Sequence, residues 1–137
     1  MFPHKMSEKR MHPLVATTTV MIAVGMALAF HCDVVEATTY TVGDDRGWDL
    51  YMTSWPTGKS FKVNDELVFR WPYKDFNHTV VAVNKKGYDG CTVSPESAKV
   101  YQSGNDTIKL VKGSNYFICS IGANCKKGDM KIAVTAN

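Results

Sequence analysis

Between Tyr116 and Val134 the chain reads YFICSIGANCKKGDMKIAV. Cys119 ends an apolar run, a glycine-bearing loop follows, Cys125 stands inside that loop, and a second apolar run starts at Met130. Upstream, His78 heads the β-branched run Thr79–Val83. A thiol, an imidazole and a thioether in this arrangement are donors of the kind found in a blue-copper electron-transfer centre, which uses one thiolate, two imidazoles and a weak axial thioether. Soft sulfur favours Cu(I), imidazole tolerates both oxidation states, and a preset geometry limits rearrangement when an electron moves.

The same residues also admit other chemistry. Cys119, His78 and Asn124 match the residue types of a Cys-His-Asn nucleophilic triad. A cysteine on a strand, however, lacks the helix N-terminus that activates such thiols. Cys119 also reads as a small buried hydrophobe at a strand end, and His78 as a surface histidine beside a glycan. Met130 alternates in phase with Ile132 and Val134, as a core residue would. Asn124 suits a loop position with left-handed backbone. Lys126 and Lys127 read as a solvated turn that can present charge to a partner.

The elements that must position these groups read as strands. Tyr40 and Val42 alternate with threonines, Leu67, Phe69 and Trp71 with Glu66, Val68 and Arg70, Ile108 and Leu110 with Thr107 and Lys109, and Met130, Ile132 and Val134 with Lys131, Ala133 and Thr135. Period-two alternation buries one face of a strand and exposes the other. Glycines punctuate the runs as turn signals, and short strands at this spacing imply a sandwich or barrel. Ser94–Lys99 is the best candidate for a short helical turn, with Ser94 as cap and Pro95 in the first position. No repeat, low-complexity linker or second domain is evident.

The N-terminal segment reads differently. Lys5, Lys9 and Arg10 precede an apolar run from Leu14 to Phe30, broken at Thr17–Thr19, and Val35-Glu36-Ala37 offers a small-residue cleavage site. This order predicts a secretory signal peptide over residues 1–37, cut after Ala37. The competing reading is an uncleaved membrane anchor, for which the run is short of the ~20 apolar residues of a span. Cleavage leaves one domain, residues 38–137, enough for one modest core. That segment holds 13 Lys+Arg and 10 Asp+Glu, a net charge of +3. Such a mildly basic surface favours acidic partners, with weak long-range steering. Basic clusters interleaved with aromatics are absent, so no nucleic-acid partner is expected. No apolar tail precedes Asn137, so no lipid anchor is expected.

Cleavage also simplifies the chemistry. His4, His12 and His31 leave with the leader, so His78 alone remains; Cys32 leaves, and Cys91, Cys119 and Cys125 stay. Three cysteines in an oxidising compartment predict one disulfide and one leftover thiol. Two sequons, Asn77-His78-Thr79 and Asn105-Asp106-Thr107, make Asn77 and Asn105 candidate glycan acceptors.

Residues 38–137 resemble the plantacyanins, or basic blue proteins, of the phytocyanin family. The matching pieces run in order: Tyr40-Thr41-Val42-Gly43-Asp44 with Gly47-Trp48, Trp55-Pro56, Gly58-Lys59 with Phe61, and Asp65–Phe69. Then follow His78–Val83, Ala98–Tyr101 with Ser103-Gly104, Tyr116–Cys119 and Met130–Val134. The resemblance implies an all-β, Greek-key cupredoxin β-sandwich, a plant source, a copper cofactor and electron transfer rather than enzymatic turnover. It implies an apoplastic or cell-wall protein, monomeric, with a small redox partner or an acidic cell-wall polymer as its contact. Residue by residue it makes His78 and Cys119 metal ligands, Met130 the axial ligand, and Cys91–Cys125 the disulfide.

The ligand loop departs from the family pattern. Plantacyanins read Cys-x4-His-Cys-x3-Met, whereas this chain reads Cys119-x4-Asn124-Cys125-x4-Met130. Asn124 stands where the second imidazole belongs, and one residue, most simply Asp129, is inserted before the methionine. An impaired type 1 site is therefore one expectation, and a copper-free extracellular binding or structural protein is the other.

Overall fold

Among the described residues, alternation along the chain becomes seven strands: β1 (Thr39–Thr41), β2 (Glu66–Arg70), β3 (Val80–Val83), β4 (Val100–Tyr101), β5 (Asn105–Lys109), β6 (Gly113–Ile118) and β7 (Lys131–Ala136). The structure is a computed structural model that describes residues 34–71 and 77–137. Residues 1–33 of the expected signal segment, residues 1–37, lie outside the described residues. The strands form two sheets, one ordered β1-β2-β5 and the other β4-β3-β6-β7. β1 runs parallel to β2, with Thr39 opposite Glu66, and the other pairings are antiparallel. This mostly-β, two-sheet arrangement is the cupredoxin sandwich that the resemblance implies.

The inner faces meet in one apolar cluster. Leu67 and Phe69 of the first sheet pack with Val80, Phe117, Ile132 and Val134 of the second, and Trp48 and Phe61 join them from the connections. Trp48 meets Phe69 edge-on at 5.1 Å between ring centroids, a geometry the ring quadrupoles favour.

The second sheet is apolar on its other face too. Val81, Val83 and Ile118 point away from the sandwich core and form a separate cluster with Cys125, bordered by Tyr88 and Cys91. That cluster explains why the Thr79–Val83 run is continuously apolar rather than alternating. Its cover is α1 (Lys85–Gly90), where the sequence reading placed no helix. Lys-Lys-Gly-Tyr-Asp-Gly is a weak helix former. Asn84 caps it, its side chain accepting from Gly87 N–H at 2.9 Å, and Tyr88 packs on Tyr116 at 5.2 Å. The turn expected at Ser94–Lys99 is present only as a single turn, closed by Ala98 N–H to the Pro95 carbonyl at 2.9 Å. Lys99 already leads into β4, so no further helical bond can form.

Candidate metal centre

Three neighbouring strands deliver the candidate ligands to one end of the second sheet. His78 lies two residues before β3, Cys119 directly follows β6, and Met130 directly precedes β7. In the sheet order β3-β6-β7 these ends are adjacent. Cys119 N–H donates to the Met130 carbonyl at 2.9 Å, which adds a rung to the β6–β7 ladder. The β3–β6 register pairs Val81 with Ile118, which brings Thr79 beside Ser120. Ser120 N–H donates to Thr79 Oγ1 at 2.8 Å, and the two hydroxyls are 2.7 Å apart. Trp48 Nε1 donates to the Thr79 carbonyl at 3.0 Å and clamps this backbone from the core side.

The loop from Ser120 to Asp129 is organised around Asn124. Its N–H donates to the Ile121 carbonyl, and its own carbonyl accepts from Gly128 N–H at 3.1 Å and Met130 N–H at 3.0 Å. Gly128 sits where a Cβ would lie 2.8 Å from that carbonyl and 2.7 Å from Leu50 Cδ2, so no larger residue fits without displacing Asn124 or Leu50. Cys125 is bridged to Cys91, at a Cα–Cα distance of 5.7 Å, which ties the loop to the end of α1. Cys119 is the free thiol among the described residues.

The side chain of Asn124 occupies the centre of the candidate site. Its Nδ2 lies 3.4 Å from His78 Nδ1 and 3.7 Å from Cys119 Sγ. The amide nitrogen donates to the sulfur, and its contact with the ring is a hydrogen bond in the tautomer that leaves Nδ1 unprotonated. Thr79 Oγ1 lies 3.8 Å from the same sulfur as a second donor. His78 and Cys119 thus converge on one point, and an amide holds it. Among the described residues no group of three or more His, Cys, Asp or Glu side chains gathers as a metal cluster would require.

Burial controls the protonation of the imidazole. His78 is 9% exposed, and Trp71 stands edge-on to it at 6.0 Å. Desolvation lowers its pKa, because burial penalises the charged form; the negative charge of Asp49 and a hydrogen bond from the ring to the Asn77 backbone carbonyl oppose the shift less strongly. A neutral ring keeps a nitrogen lone pair for a metal or a donor. Cys119 is only 1% exposed, too enclosed for a nucleophile that must reach a substrate.

Met130 is fully buried in the core cluster that also contains Cys119, which satisfies its reading as a core residue. Asp129, directly before it, adopts a left-handed conformation at φ 45° and is exposed, while Met130 is buried in phase with Ile132 and Val134. Outside Asn124 lies a shallow depression of about 220 Å³ lined by Leu50, Tyr51, Ala123, Lys127 and Gly128. Lys126 and Lys127 are exposed at its side, as are Asn77 beside His78 and Asn105 at the start of β5.

The sequence reading did not anticipate Thr79, Trp48 or Gly128 as parts of the site. Trp48 and Gly128 act through one backbone carbonyl each, a contact for which a sequence carries no periodic signal.

Comparison with known proteins places this geometry. A family model described as a plastocyanin-like domain matches residues 45–129. A chemocyanin from Lilium longiflorum is 50% identical over 109 residues, 80% of this chain and 83% of that protein. A basic blue protein from Arabidopsis thaliana is 47% identical over the same share of this chain and 81% of its own. Among solved structures, cucumber basic protein, a blue copper protein, is similar at 47% identity and TM-score 0.67, covering 73% of this chain and 100% of its own. Spinach plantacyanin is similar at 43% identity and TM-score 0.62, with the same coverages.

Proposed function

The chain belongs to the phytocyanin family of plastocyanin-like proteins, and from that premise we propose that it is a secreted electron-transfer cupredoxin with an impaired type 1 copper site. The observation that carries the proposal is the amide of Asn124 between His78 Nδ1 and Cys119 Sγ. Copper fits the two groups that converge there, a thiol and a neutral imidazole; it does not find a second imidazole, and an amide is a poor substitute. In this reading His78 and Cys119 would hold the metal, with the Met130 thioether as a weaker third donor. When bound, copper supplies reversible one-electron chemistry.

The chain's own residues do the rest. The donors Thr79 Oγ1 and Asn124 Nδ2 face the Cys119 sulfur and stabilise negative charge on it. The Trp48 bond to the Thr79 carbonyl fixes the strand that carries His78. The Cys91–Cys125 bridge holds the loop in place. Lys126 and Lys127, exposed beside Asn124, suit a small acidic redox partner or an acidic cell-wall polymer. The protein acts as a monomer outside the plant cell after losing residues 1–37, with Asn77 and Asn105 as glycan acceptors. Among the described residues no helix is long and apolar enough to cross a membrane.

A second reading rests on the same contacts. The Asn124 amide lies within reach of both His78 Nδ1 and Cys119 Sγ, and a site closed by side-chain hydrogen bonds suits a copper-free extracellular binding or structural protein. The absorption spectrum of the mature protein with added Cu(II) separates the readings. The impaired-site proposal expects bound copper with a weak visible band. A full-intensity thiolate-to-copper band would sink the impairment, and no copper retained on equilibrium dialysis would leave the copper-free protein.

A further inference from the structure

Away from the candidate metal centre, Asp65 is 1% exposed. Its carboxylate accepts two backbone hydrogen bonds, from Lys62 N–H to Oδ2 at 2.8 Å and from Thr38 N–H to Oδ1 at 2.8 Å. Among the described residues the ion pairs are Arg46–Asp49 and Lys85–Asp89, neither of which involves Asp65. A buried carboxylate with hydrogen bonds but no cation is costly unless a positive charge completes it. Thr38 is the residue that follows the expected cleavage point at Ala37.

We propose that Asp65 is the receptor for the processed N-terminus: cleavage of the Ala37–Thr38 bond creates an α-ammonium on Thr38 that pairs with this carboxylate and locks β1 onto the sheet. The inference rests on the secretion reading for the place of the cut. Water adds across the peptide bond, a peptidase leaving a carboxyl on Ala37 and an amine on Thr38. That amine, with an ordinary pKa of about 7.7–8.0, takes up a proton at neutral pH. A neutral amide donor is thereby exchanged, at the same atom, for a charged one, so a hydrogen bond to an ionised acceptor becomes a hydrogen-bonded ion pair.

The surroundings of Thr38 fit a terminus. Its carbonyl accepts from Glu66 N–H at 2.9 Å, so the residue is held from both ends beside β2. Before it, Val34 is 84% and Val35 70% exposed, and residues 36 and 37 are also exposed. The charges flanking Asp65 along the chain, Lys62 and Glu66, are of opposite sign and leave no net charge to replace the ammonium.

Residues Glu36–Asn137 form a compact unit, and solved relatives that match over their whole length cover the share of this chain that residues 38–137 make up, so this segment folds on its own. The test compares protein beginning at Thr38 with protein beginning at Ala37, each in the parent form and as the Asp65→Asn variant. The Thr38 form is expected to melt about 5 °C higher than the Ala37 form, the order expected for one strengthened hydrogen bond in a domain of this size. Asp65→Asn should erase that difference. Acylation of the Thr38 α-amine at pH 7 should be about tenfold slower in the parent than in the Asp65→Asn variant, as each unit of raised pKa removes tenfold of the free amine. Equal melting of the Thr38 and Ala37 forms overturns the ion pair, and that comparison stands even if Asp65→Asn does not fold. N-terminal sequencing of the protein secreted from the full chain, finding a start other than Thr38, overturns the processing step and leaves the ion-pair result separately readable.

Discussion

Asn124 and His78, 46 residues apart in sequence, meet side chain to side chain, amide Nδ2 to ring Nδ1, at 3.4 Å. In the tautomer that leaves Nδ1 unprotonated, the amide engages the lone pair of that ring nitrogen.

Replacing that amide should restore metal chemistry. Asn124→His is expected to give an intense visible charge-transfer band with Cu(II) where the parent is pale. Adding deletion of Asp129 should sharpen the band and move the redox potential. The gain from the imidazole should exceed the gain from the spacing, because Met130 is buried in one core cluster with Cys119 and the axial bond is weak in any case. Absence of a band in the double variant would mean that the cavity does not admit the metal.

Removing the disulfide should cost stability without exposing the site thiol. The Cys91–Cys125 bridge closes a loop of sequence separation 34, and the chain-entropy model assigns about 3–4 kcal/mol to a loop of this size. Urea unfolding of the Cys91→Ala/Cys125→Ala variant should show stability lower by that amount. Peptide mapping of the parent should find Cys119 unlinked; a bridge to Cys119 would remove the thiolate from the metal argument.

Gly128→Ala should be more damaging than a loop glycine substitution ordinarily is. The added methyl meets the Asn124 carbonyl at 2.8 Å and Leu50 at 2.7 Å, and overpacking of this kind costs about 1–3 kcal/mol. Because that carbonyl also accepts from Met130 N–H, the amide resonances of both Asn124 and Met130 should shift in an NMR spectrum. Wild-type stability and unshifted amides would show that the loop gives way elsewhere.

Trp48→Phe should loosen the strand that carries His78. The indole N–H bonds the Thr79 carbonyl at 3.0 Å in a buried setting, and leaving a buried acceptor unsatisfied costs about 1–3 kcal/mol. The expected readout is a lower unfolding midpoint together with faster hydrogen exchange at Val80 and Val81. An unchanged midpoint would count against the clamp.

Alkaline titration should single out Tyr88. Burial pushes its phenol pKa up, and the negative charges of Asp89 and Asp129 and the ring of Tyr116 add to the shift. The folded value lies above the unfolded one, so its contribution to stability is fully present below about pH 10 and is lost as pH rises through the folded pKa. Ultraviolet titration should find one tyrosine ionising late, and Tyr88→Phe should flatten the alkaline limb of the stability curve.

Much of the fold was legible in the sequence because period-two alternation reports directly which face of a strand is buried. It located the strands at Leu67–Phe69 and Ile132–Val134, where one face meets the core and the other meets water. It could not report α1, since Lys85–Gly90 has poor helix propensity and is held by the Asn84 cap and by packing on Tyr116. The Thr79–Val83 run carried the same ambiguity: a sheet apolar on both faces has no alternation to read.

At the site, the sequence alone determined which donors exist. From Thr38 onward the chain holds one histidine and three cysteines, and no folding can add an imidazole or a thiol to residues 38–137. Only the tertiary structure decided where the amide goes. Hydrogen bonding requires donor and acceptor to be close and aligned, and no spacing along a chain encodes that His78, at the foot of β3, and Cys119, at the end of β6, should both face Asn124. The β3–β6 register and the Asn124 carbonyl bonds to Gly128 and Met130 set that distance, because they fix the three backbones before any side chain is placed.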